Sequence, residues 1–270
     1  MSVITISRGS FSGGKMLAEC LAAQLGFRCV DRDTIVERAA ASGVSQEELM
    51  DALLKPPSIL DRFSHKKYIY LTLIQAALAE EVRTGKAVYH GNAGHLLLKG
   101  GPHVLRVRII APLEFRIRMA QERLKMDRSQ TLAYIQKVDQ ERRKWAHYLY
   151  GVDWGDPSLY DIVLNLEHVS IQDACEVVST MARQSKCFEF TPECQALMDD
   201  FVLASTVKAK LALNRPTSDL EVEVKAERGV VSILGQLAAP EQLKEVRYVA
   251  SSVPGVTDLN LDGLGSKVHV

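Results

Sequence analysis

The residues best suited to chemistry lie near the start of the chain, in the stretch ISRGSFSGGKM at residues 6–16. Gly9, Gly14 and Lys15 have the spacing G-x-x-x-x-G-K, which is typical of a loop that binds phosphate groups. In such a loop the backbone N–H groups between the two glycines surround the phosphates, and the lysine supplies a positive charge. The spacing therefore predicts a phosphate- or nucleotide-binding loop with Lys15 as its cation.

The residue after the lysine departs from this pattern. Loops of this kind place a Ser or Thr there, whose hydroxyl binds Mg²⁺, whereas this chain has Met16. A thioether is a poor ligand for a hard cation. Any Mg²⁺ would therefore depend on Ser10, Ser12, water or an acid from another strand, and we predict no metal site made by the protein alone.

The surrounding pattern predicts the elements that must position this loop. A β-branched run at residues 3–7 precedes the loop, and apolar residues at helical spacing follow it as far as Gly26, a residue suited to end a helix. Strands and helices then alternate, which predicts an α/β fold: an open parallel five-stranded sheet with helices on both faces. The predicted strands are residues 3–7, 27–30, 87–90, 103–111 and 160–165. The predicted helices are residues 17–25, 33–41, 45–55, 64–84, 113–126, 129–150 and 170–184, with Asp33, Ser45 and Ser170 as caps.

A different pattern begins after residues 185–193. Helices now separate from short strands, and Arg228-Gly229 between two apolar runs is a hairpin signal. The predicted elements are helices 198–213 and 240–252 and strands 220–226, 230–236, 257–261 and 267–270. We therefore predict a first domain at residues 1–185 and a small α+β domain at residues 195–270 with a mostly antiparallel sheet.

Composition limits the classes of partner. Lys plus Arg and Asp plus Glu both number 33, so no net charge draws the chain to nucleic acid or membrane. Basic residues between 106 and 128 are interleaved with acids, which argues against a nucleic-acid surface. The start resembles no signal peptide, and no run of about 18 apolar residues occurs. We expect a soluble cytoplasmic protein that binds neither nucleic acid nor membrane.

The cysteines carry no recognisable pattern. They are Cys20, Cys29, Cys175, Cys187 and Cys194. An odd number without C-x-x-C spacing predicts neither a metal site nor a disulfide framework. This agrees with a reducing compartment.

Several stretches together resemble the cytidylate kinase-like family of P-loop nucleoside monophosphate kinases. These stretches are ITISRGSFSGGKMLAECLAAQLGF, VDRDTIVERAA, VLRVRIIAPLEFRIRMA and VDQERRKWAHYLYGVDWGDPSLYDIVLNLEHVS, within about residues 1–183. The resemblance implies a P-loop NTPase-like sheet, ATP with Mg²⁺, and a mobile lid. The ATP-binding residues that it implies are Gly9, Ser10, Ser12, Gly13, Gly14 and Lys15.

The same resemblance implies the acceptor side and the lid of the site. Asp31 and Arg32 would face the monophosphate, and Arg142 and Arg143 stand where lid arginines would fall. Guanidinium groups that close over a transferred phosphoryl group stabilise its charge. Consecutive helical residues point about 100° apart, so we expect at most one of the two arginines to reach the phosphates. Asn92 stands where the family places an arginine, and it would bring a hydrogen bond without a charge.

The last part of the chain resembles the BON domain, over roughly residues 198–270. The pattern that carries this resemblance is LEVEVKAERGVVSILGQLAAPEQLKEVRYVASSVPGVTDLNLDGL. BON modules are common in envelope or membrane contexts, but the apolar stripe of helix 240–252 is explained better by core packing than by lipid insertion. We expect a binding or regulatory module for self-association or for a protein partner.

The sequence thus favours an ATP-dependent nucleoside monophosphate kinase that transfers the γ-phosphoryl group to CMP or a similar acceptor. Lys15, Arg142 and Arg143 would be its catalytic residues. The main alternative is a nucleotide-sensing pseudo-kinase that binds ligand without turnover and signals through the BON module. Met16 and Asn92 favour that alternative. A third interpretation is an envelope-associated scaffold.

Overall fold

The first part of the chain forms the predicted parallel sheet. The structure is a computed structural model that describes residues 3–56, 65–185, 188 and 191–266. Five strands lie in the order β2-β3-β1-β4-β5, and all of their pairings are parallel. They are β1 (Val3–Arg8), β2 (Arg28–Asp31), β3 (Ala87–His90), β4 (Val104–Ile110) and β5 (Ile162–Asn165). The predicted fold class is confirmed.

Helices cover both faces of this sheet. They are α1 (Gly14–Leu25), α2 (Arg32–Ala40), α3 (Gln46–Leu54), α4 (Lys66–Val82), α5 (Gly94–Leu97), α6 (Leu113–Leu124), α7 (Arg128–Tyr150) and α8 (Ile171–Gln184). Successive side chains of a strand point to opposite faces. Accordingly Val3 belongs to one core with Trp145 of α7, whereas Ile4 and Ile6 belong to the other core with Leu17 of α1.

The strand order places the phosphate loop at the centre of the sheet. β1 lies between β3 and β4, and the chain crosses from one side of β1 to the other when it passes from β3 to β4. Ligands of open α/β sheets bind at the carboxyl ends of the strands where the order reverses in this way. The loop that follows Arg8, the last residue of β1, lies at that point.

Side-chain caps explain where several helices begin. Ser45 accepts a hydrogen bond from Glu48 N, and Ser170 forms a complete capping box with Asp173, as predicted. The predicted cap at Asp33 is wrong. Asp31 is the cap, since it accepts a hydrogen bond from Thr34 N, and α2 begins at Arg32. Asp31 is extended at φ −105°, which is the usual geometry of a capping residue.

The C-terminal part has its own sheet and core. α9 (Pro192–Leu213) is followed by β6 (Glu223–Glu227), β7 (Val230–Leu237), α10 (Gln242–Ser251), β8 (Asp258–Asn260) and β9 (Leu264–Ser266). The predicted hairpin is present, with positive φ at Arg228 and Gly229. The strand predicted at residues 267–270 lies outside the described residues.

The prediction that this small sheet is mostly antiparallel is wrong. β6 pairs with β7 antiparallel, but β8 and β9 both pair with β7 in parallel. The physical reason is the connection: α10 carries the chain back along the sheet between β7 and β8, and such a crossover gives parallel strands. β8 and β9 then lie one after the other along the same edge of β7.

α9 belongs to both parts of the molecule. Met198 and Ala209 lie in the first core with residues of α4, whereas Val207 and Leu211 lie in the C-terminal core. The helix is therefore packed on both sides. No helix within the described residues has the length and apolar character needed to cross a bilayer.

The expectation that the chain forms no disulfide is wrong. Cys20 of α1 and Cys175 of α8 form a disulfide, with their Cα atoms 6.2 Å apart. The two cysteines are 155 positions apart in sequence, so no local pattern predicts their pairing. It follows from the packing of α1 against α8. Cys29 is free and exposed.

Reduction of the Cys20–Cys175 disulfide is expected to lower the free energy of unfolding by about 2–4 kcal/mol, because the crosslink restricts the unfolded chain. Urea denaturation with and without reductant measures this change. Cys20→Ser should reproduce the loss under oxidising conditions, and Cys29→Ser is the matched control. Equal stability of the oxidised and reduced protein would contradict the prediction.

His95 of α5 is a buried titratable group close to the centre of the sheet. Its ring centroid lies 5.3 Å from that of Trp154 and 4.7 Å from that of Tyr160. Neither ring nitrogen has a hydrogen-bond partner among the described residues. Burial, helped by the charges of Arg108 and Arg106, lowers the pKa of His95 to about 3.

This pKa predicts a loss of stability in acid. Below the ordinary pKa of 6.5 the unfolded chain binds a proton that the folded protein does not bind, so stability falls as the pH falls. His95→Phe should remove about 1.4 kcal/mol of the loss that wild type shows between about pH 7.5 and about pH 5.5 in urea denaturation. Identical pH profiles of the two proteins would show that the model of a neutral buried histidine is wrong.

Candidate active site

The phosphate loop ends at a helix N-terminus that is open to a ligand. Gly13 precedes α1 with φ 85° and gives no side-chain cap. The first N–H groups of a helix have no partner within the helix, so those of α1 remain available to an anion, which the helix dipole also favours. Phe11 also has a positive φ, 61°. Two left-handed residues within three positions fold the loop tightly over the start of α1.

Asp139 of α7 fixes the loop from the other side. Its Oδ1 accepts hydrogen bonds from Ser10 N at 3.1 Å and from Ser10 Oγ at 3.0 Å. Its Oδ2 is bonded to the guanidinium of Arg116, whose Nε donates to Ser10 O at 2.7 Å. We call Ser10, Arg116, Asp139 and Arg142 the loop clamp. Every polar group of Ser10 is bonded within it.

Arg142 contributes to the clamp through a single nitrogen. Its Nη1 donates to Arg8 O and to Ser10 Oγ, both at 3.2 Å, and lies 3.9 Å from Asp139. Burial, with the charge of Arg8, lowers the pKa of Arg142 to about 10, so the guanidinium stays charged at neutral pH. Its Nε has no partner among the described residues. Arg143 is more exposed than Arg142, and the expectation that at most one of the two reaches the phosphates stays a prediction.

Two cavities lie beside the loop. One, of about 540 Å³, is lined by Gly13, Gly14 and Met16 of the loop and first helix. The acid among its lining residues is Glu122, and its basic lining residues are Arg8, Lys15, Arg32, Arg123 and Arg142. We call it the arginine cavity. Such an excess of positive charge around a helix N-terminus suits a polyphosphate.

The second cavity, of about 340 Å³, lies on the other side of the loop beside Trp154, and we call it the tryptophan cavity. Gly9 and Ser12 line it together with basic and acidic side chains. Those side chains are Arg108, Arg116, Arg142, Arg143, Asp139 and Asp153. Ser12 Oγ is buried and has no hydrogen-bond partner among the described residues, so it is a hydroxyl available to a ligand.

Lys15 and Met16 lie at the edge of the arginine cavity. The side chain of Lys15 is 60% exposed, and its Nζ lies 3.6 Å from Glu19 Oε1 one turn along α1. Met16 is 48% exposed. The lysine of the sequence motif is therefore directed partly toward solvent, and the methionine replaces the motif's hydroxyl with an apolar wall.

The residues predicted to bind the acceptor monophosphate do not line one common cavity. Arg32 lines the arginine cavity, with its Nε 3.1 Å from Asp33. Asp31 caps α2, and the hydrogen bond from Thr34 N lowers its pKa. The side chain of Asn92 donates to Leu53 O at 3.4 Å, so it contacts α3 and lines neither cavity. The roles assigned to these residues stay predictions.

Sequence reasoning missed Asp139 and Arg116 as parts of the site. Asp139 was assigned no role, and Arg116 was considered only within the mixed basic stretch between residues 106 and 128. The side chains are 19% and 14% exposed. A signal existed in the arginines that recur within β4 and after Pro112, since charged side chains that close to buried strands require partners.

Loss of the Asp139 charge is expected to destabilise the protein, because Arg116 and Arg142 would be left half-buried without their acid. We expect Asp139→Asn to lower the free energy of unfolding by about 3 kcal/mol, measured by urea denaturation. Glu114→Gln is the control, since Glu114 and Arg128 form a pair 61% exposed on each side that is worth at most about 1 kcal/mol. Equal losses in both variants would contradict the clamp.

Comparisons with known proteins show which families the sequence is similar to. The model of the cytidylate kinase-like family matches residues 3–168, and the model of the BON domain matches residues 199–261. A cytidylate kinase of Ignicoccus hospitalis is 28% identical over 185 residues, which are 67% of this chain and 99% of that protein. A cytidylate kinase of Methanosarcina acetivorans is 33% identical over 168 residues, 61% of this chain and 87% of that protein.

A solved structure supports the fold alone. The crystal structure of an uncharacterized protein from Eubacterium ventriosum aligns with 68% of this chain and 100% of its own, with a TM-score of 0.55 and 17% identity. The family match spans more than half of the residues and includes the loop, the clamp and the strands that position them. The chain therefore belongs to the cytidylate kinase-like family and continues into a BON domain.

Proposed function

We propose that this protein is an ATP-dependent nucleoside monophosphate kinase that transfers the γ-phosphoryl group to CMP or a similar monophosphate. The observation that carries the proposal is the arginine cavity. An open helix N-terminus and five basic side chains converge there on one volume beside a loop fixed by the clamp. Family membership and the curated cytidylate kinases among the relatives support the same reaction class.

The chain's own residues would perform binding and charge stabilisation. The N–H groups at the start of α1 bind phosphate oxygens of the donor, and Arg32 binds the acceptor phosphate. Arg142, fixed on the loop, faces the charge that develops on the transferred group. An acceptor phosphate is already an anionic nucleophile, so the reaction needs no strong general base.

Mg²⁺ fits this loop through a different hydroxyl from the one in the motif. Ser12 Oγ is buried and has no hydrogen-bond partner in the described part of the chain, whereas the motif position holds Met16. Bound Mg²⁺ would neutralise part of the negative charge of the donor phosphates. Ser12 is the residue that would hold it, with water as the remaining ligands.

A nucleotide sensor without turnover is the second candidate. Met16 favours it, because it removes a metal-binding hydroxyl, and so does the exposure of Lys15. In this case the BON domain would pass the bound state to a partner or to a second copy of the chain. That role of the BON domain and the cytoplasmic location stay predictions.

One experiment distinguishes the kinase from the nucleotide sensor. We expect purified protein with Mg-ATP to phosphorylate one pyrimidine monophosphate among CMP, dCMP, UMP, AMP and GMP, measured as ADP release, and to bind ATP in calorimetry. Arg142→Ala should reduce transfer roughly 100-fold, because a single preorganised charge at the transferred group is worth that much. Binding without transfer would support the sensor, and the absence of both would refute the kinase and the sensor alike.

A further inference from the structure

We propose that Arg8, the last residue of β1, is the catalytic cation on the transferable phosphates, in the role that the sequence motif gives to Lys15. This inference rests on the proposed kinase function and identifies one of its catalytic residues. It begins from a contact between Arg8 and Gly14 that the sequence pattern does not reveal.

The side chain of Arg8 lies across the first residue of α1. A β-carbon placed on Gly14 would lie 2.3 Å from Arg8 Cδ, too close for any real contact, and 3.1 Å from Arg8 Cγ, which is a tight contact. Gly14 is the first residue of α1 and its φ lies outside the left-handed region, unlike that of Gly13 at 85°. A glycine within a helix costs about 1 kcal/mol relative to alanine, so Gly14 is not explained by backbone conformation. It is explained by the space that the stem of Arg8 needs.

The backbone and neighbours of Arg8 direct its guanidinium to the arginine cavity. Even-numbered residues of β1 face the core that contains α1, and Arg142 Nη1 holds Arg8 O at 3.2 Å. Arg8 lines the cavity together with Gly13, Gly14 and Arg32. Its charged end is thus placed where the N–H groups at the start of α1 converge.

The charge of Arg8 has no acid to balance it. Within the described part of the chain no ion pair or side-chain hydrogen bond of Arg8 is formed, although the residue is half-buried. Burial and then the charges of Arg32 and Arg123 lower its pKa. A desolvated cation beside like charges is unfavourable unless an anion binds among them. The protein therefore holds Arg8 ready for a ligand with several negative charges.

Lys15 is in a weaker position for the same task. The Lys15 side chain is 60% exposed and paired with Glu19, whereas Arg8 is half-buried and forms no ion pair with any residue that the structure describes. A guanidinium also binds two oxygens of a phosphate at once, which an ammonium does not. Arg8 therefore has the geometry and the environment that the motif lysine lacks here.

The chemical step balances without the transfer of a proton to or from Arg8. An oxygen of the acceptor phosphate forms a bond to the γ-phosphorus, and the bond from that phosphorus to the bridging oxygen of ADP breaks, with the electron pair remaining on ADP. Arg8 stays protonated throughout. It stabilises the charge that passes from the attacking oxygen to the leaving one.

The first test compares alanine variants of three basic residues. Transfer from Mg-ATP to CMP gives kcat and KM, calorimetry gives the ATP affinity, and circular dichroism checks folding. We expect Arg8→Ala to lower kcat/KM at least about 100-fold and Lys15→Ala to lower it less than about tenfold, since an exposed pair contributes little. Arg118→Ala, an exposed arginine of α6, is the matched control.

The second test moves the charge. Gly14→Ala should itself abolish most transfer, because its β-carbon displaces Arg8. If it acts through Arg8, then Arg8→Ala with Gly14→Ala should be no worse than Arg8→Ala alone. Arg8→Ala with Gly14→Lys should regain part of the lost rate, because a lysine at position 14 extends into the space that Arg8 leaves.

The outcomes separate this inference from the kinase proposal. Transfer by wild type, with Arg8→Ala within threefold of it or with a larger loss for Lys15→Ala, overturns the role of Arg8 and leaves the kinase intact. Binding of ATP without transfer overturns the kinase. The role of Arg8 as a phosphate ligand is then supported if Arg8→Ala weakens ATP affinity more than Lys15→Ala does, and overturned if it does not. Wild type that neither binds nor transfers overturns both.

Discussion

The carboxylate of Asp139 is the interaction on which the rest of the site depends. It accepts from the backbone and the hydroxyl of Ser10 and balances the guanidinium of Arg116. A glycine-rich loop is free to adopt many conformations, and this single acid on a long helix selects one of them. Asp139 Oδ1 also lies 3.9 Å from Arg142 Nη1 and compensates part of its charge. This keeps Arg142 close to the phosphate loop. Loop shape and arginine position are therefore set together.

This arrangement explains how the site tolerates several positive charges. Arg116 is neutralised by Asp139, and Arg142 is stabilised by carbonyl and hydroxyl oxygens of the loop. Arg8 and Arg32 have no such compensation from the loop, so the positive potential of the arginine cavity remains on its ligand-facing side. Arg116 holds the loop, Arg8 and Arg32 are left for phosphate, and Arg142 is bonded to the loop while it also lines the arginine cavity. These arginines are distant from one another in sequence.

Local signals in the sequence predicted much of the fold and less of the site. Capping residues such as Ser45 and Ser170, and the alternation of strands with helices, depend on neighbours within a few positions, so they were predictable. The loop clamp joins Ser10 to a residue 129 positions away, and the disulfide joins residues 155 positions apart. Neither has a local signature. The parallel pairing of β8 with β7 was missed because its cause is the path of α10 rather than any strand pattern.

α9 has a consequence for how the molecule loses its structure. Its residues complete the first core through Met198 and the C-terminal core through Leu211. Melting this helix removes apolar contacts from both cores at once, and neither core keeps its full packing without it. The kinase-like part and the BON part are therefore thermodynamically coupled, and their unfolding free energies do not add as those of independent units.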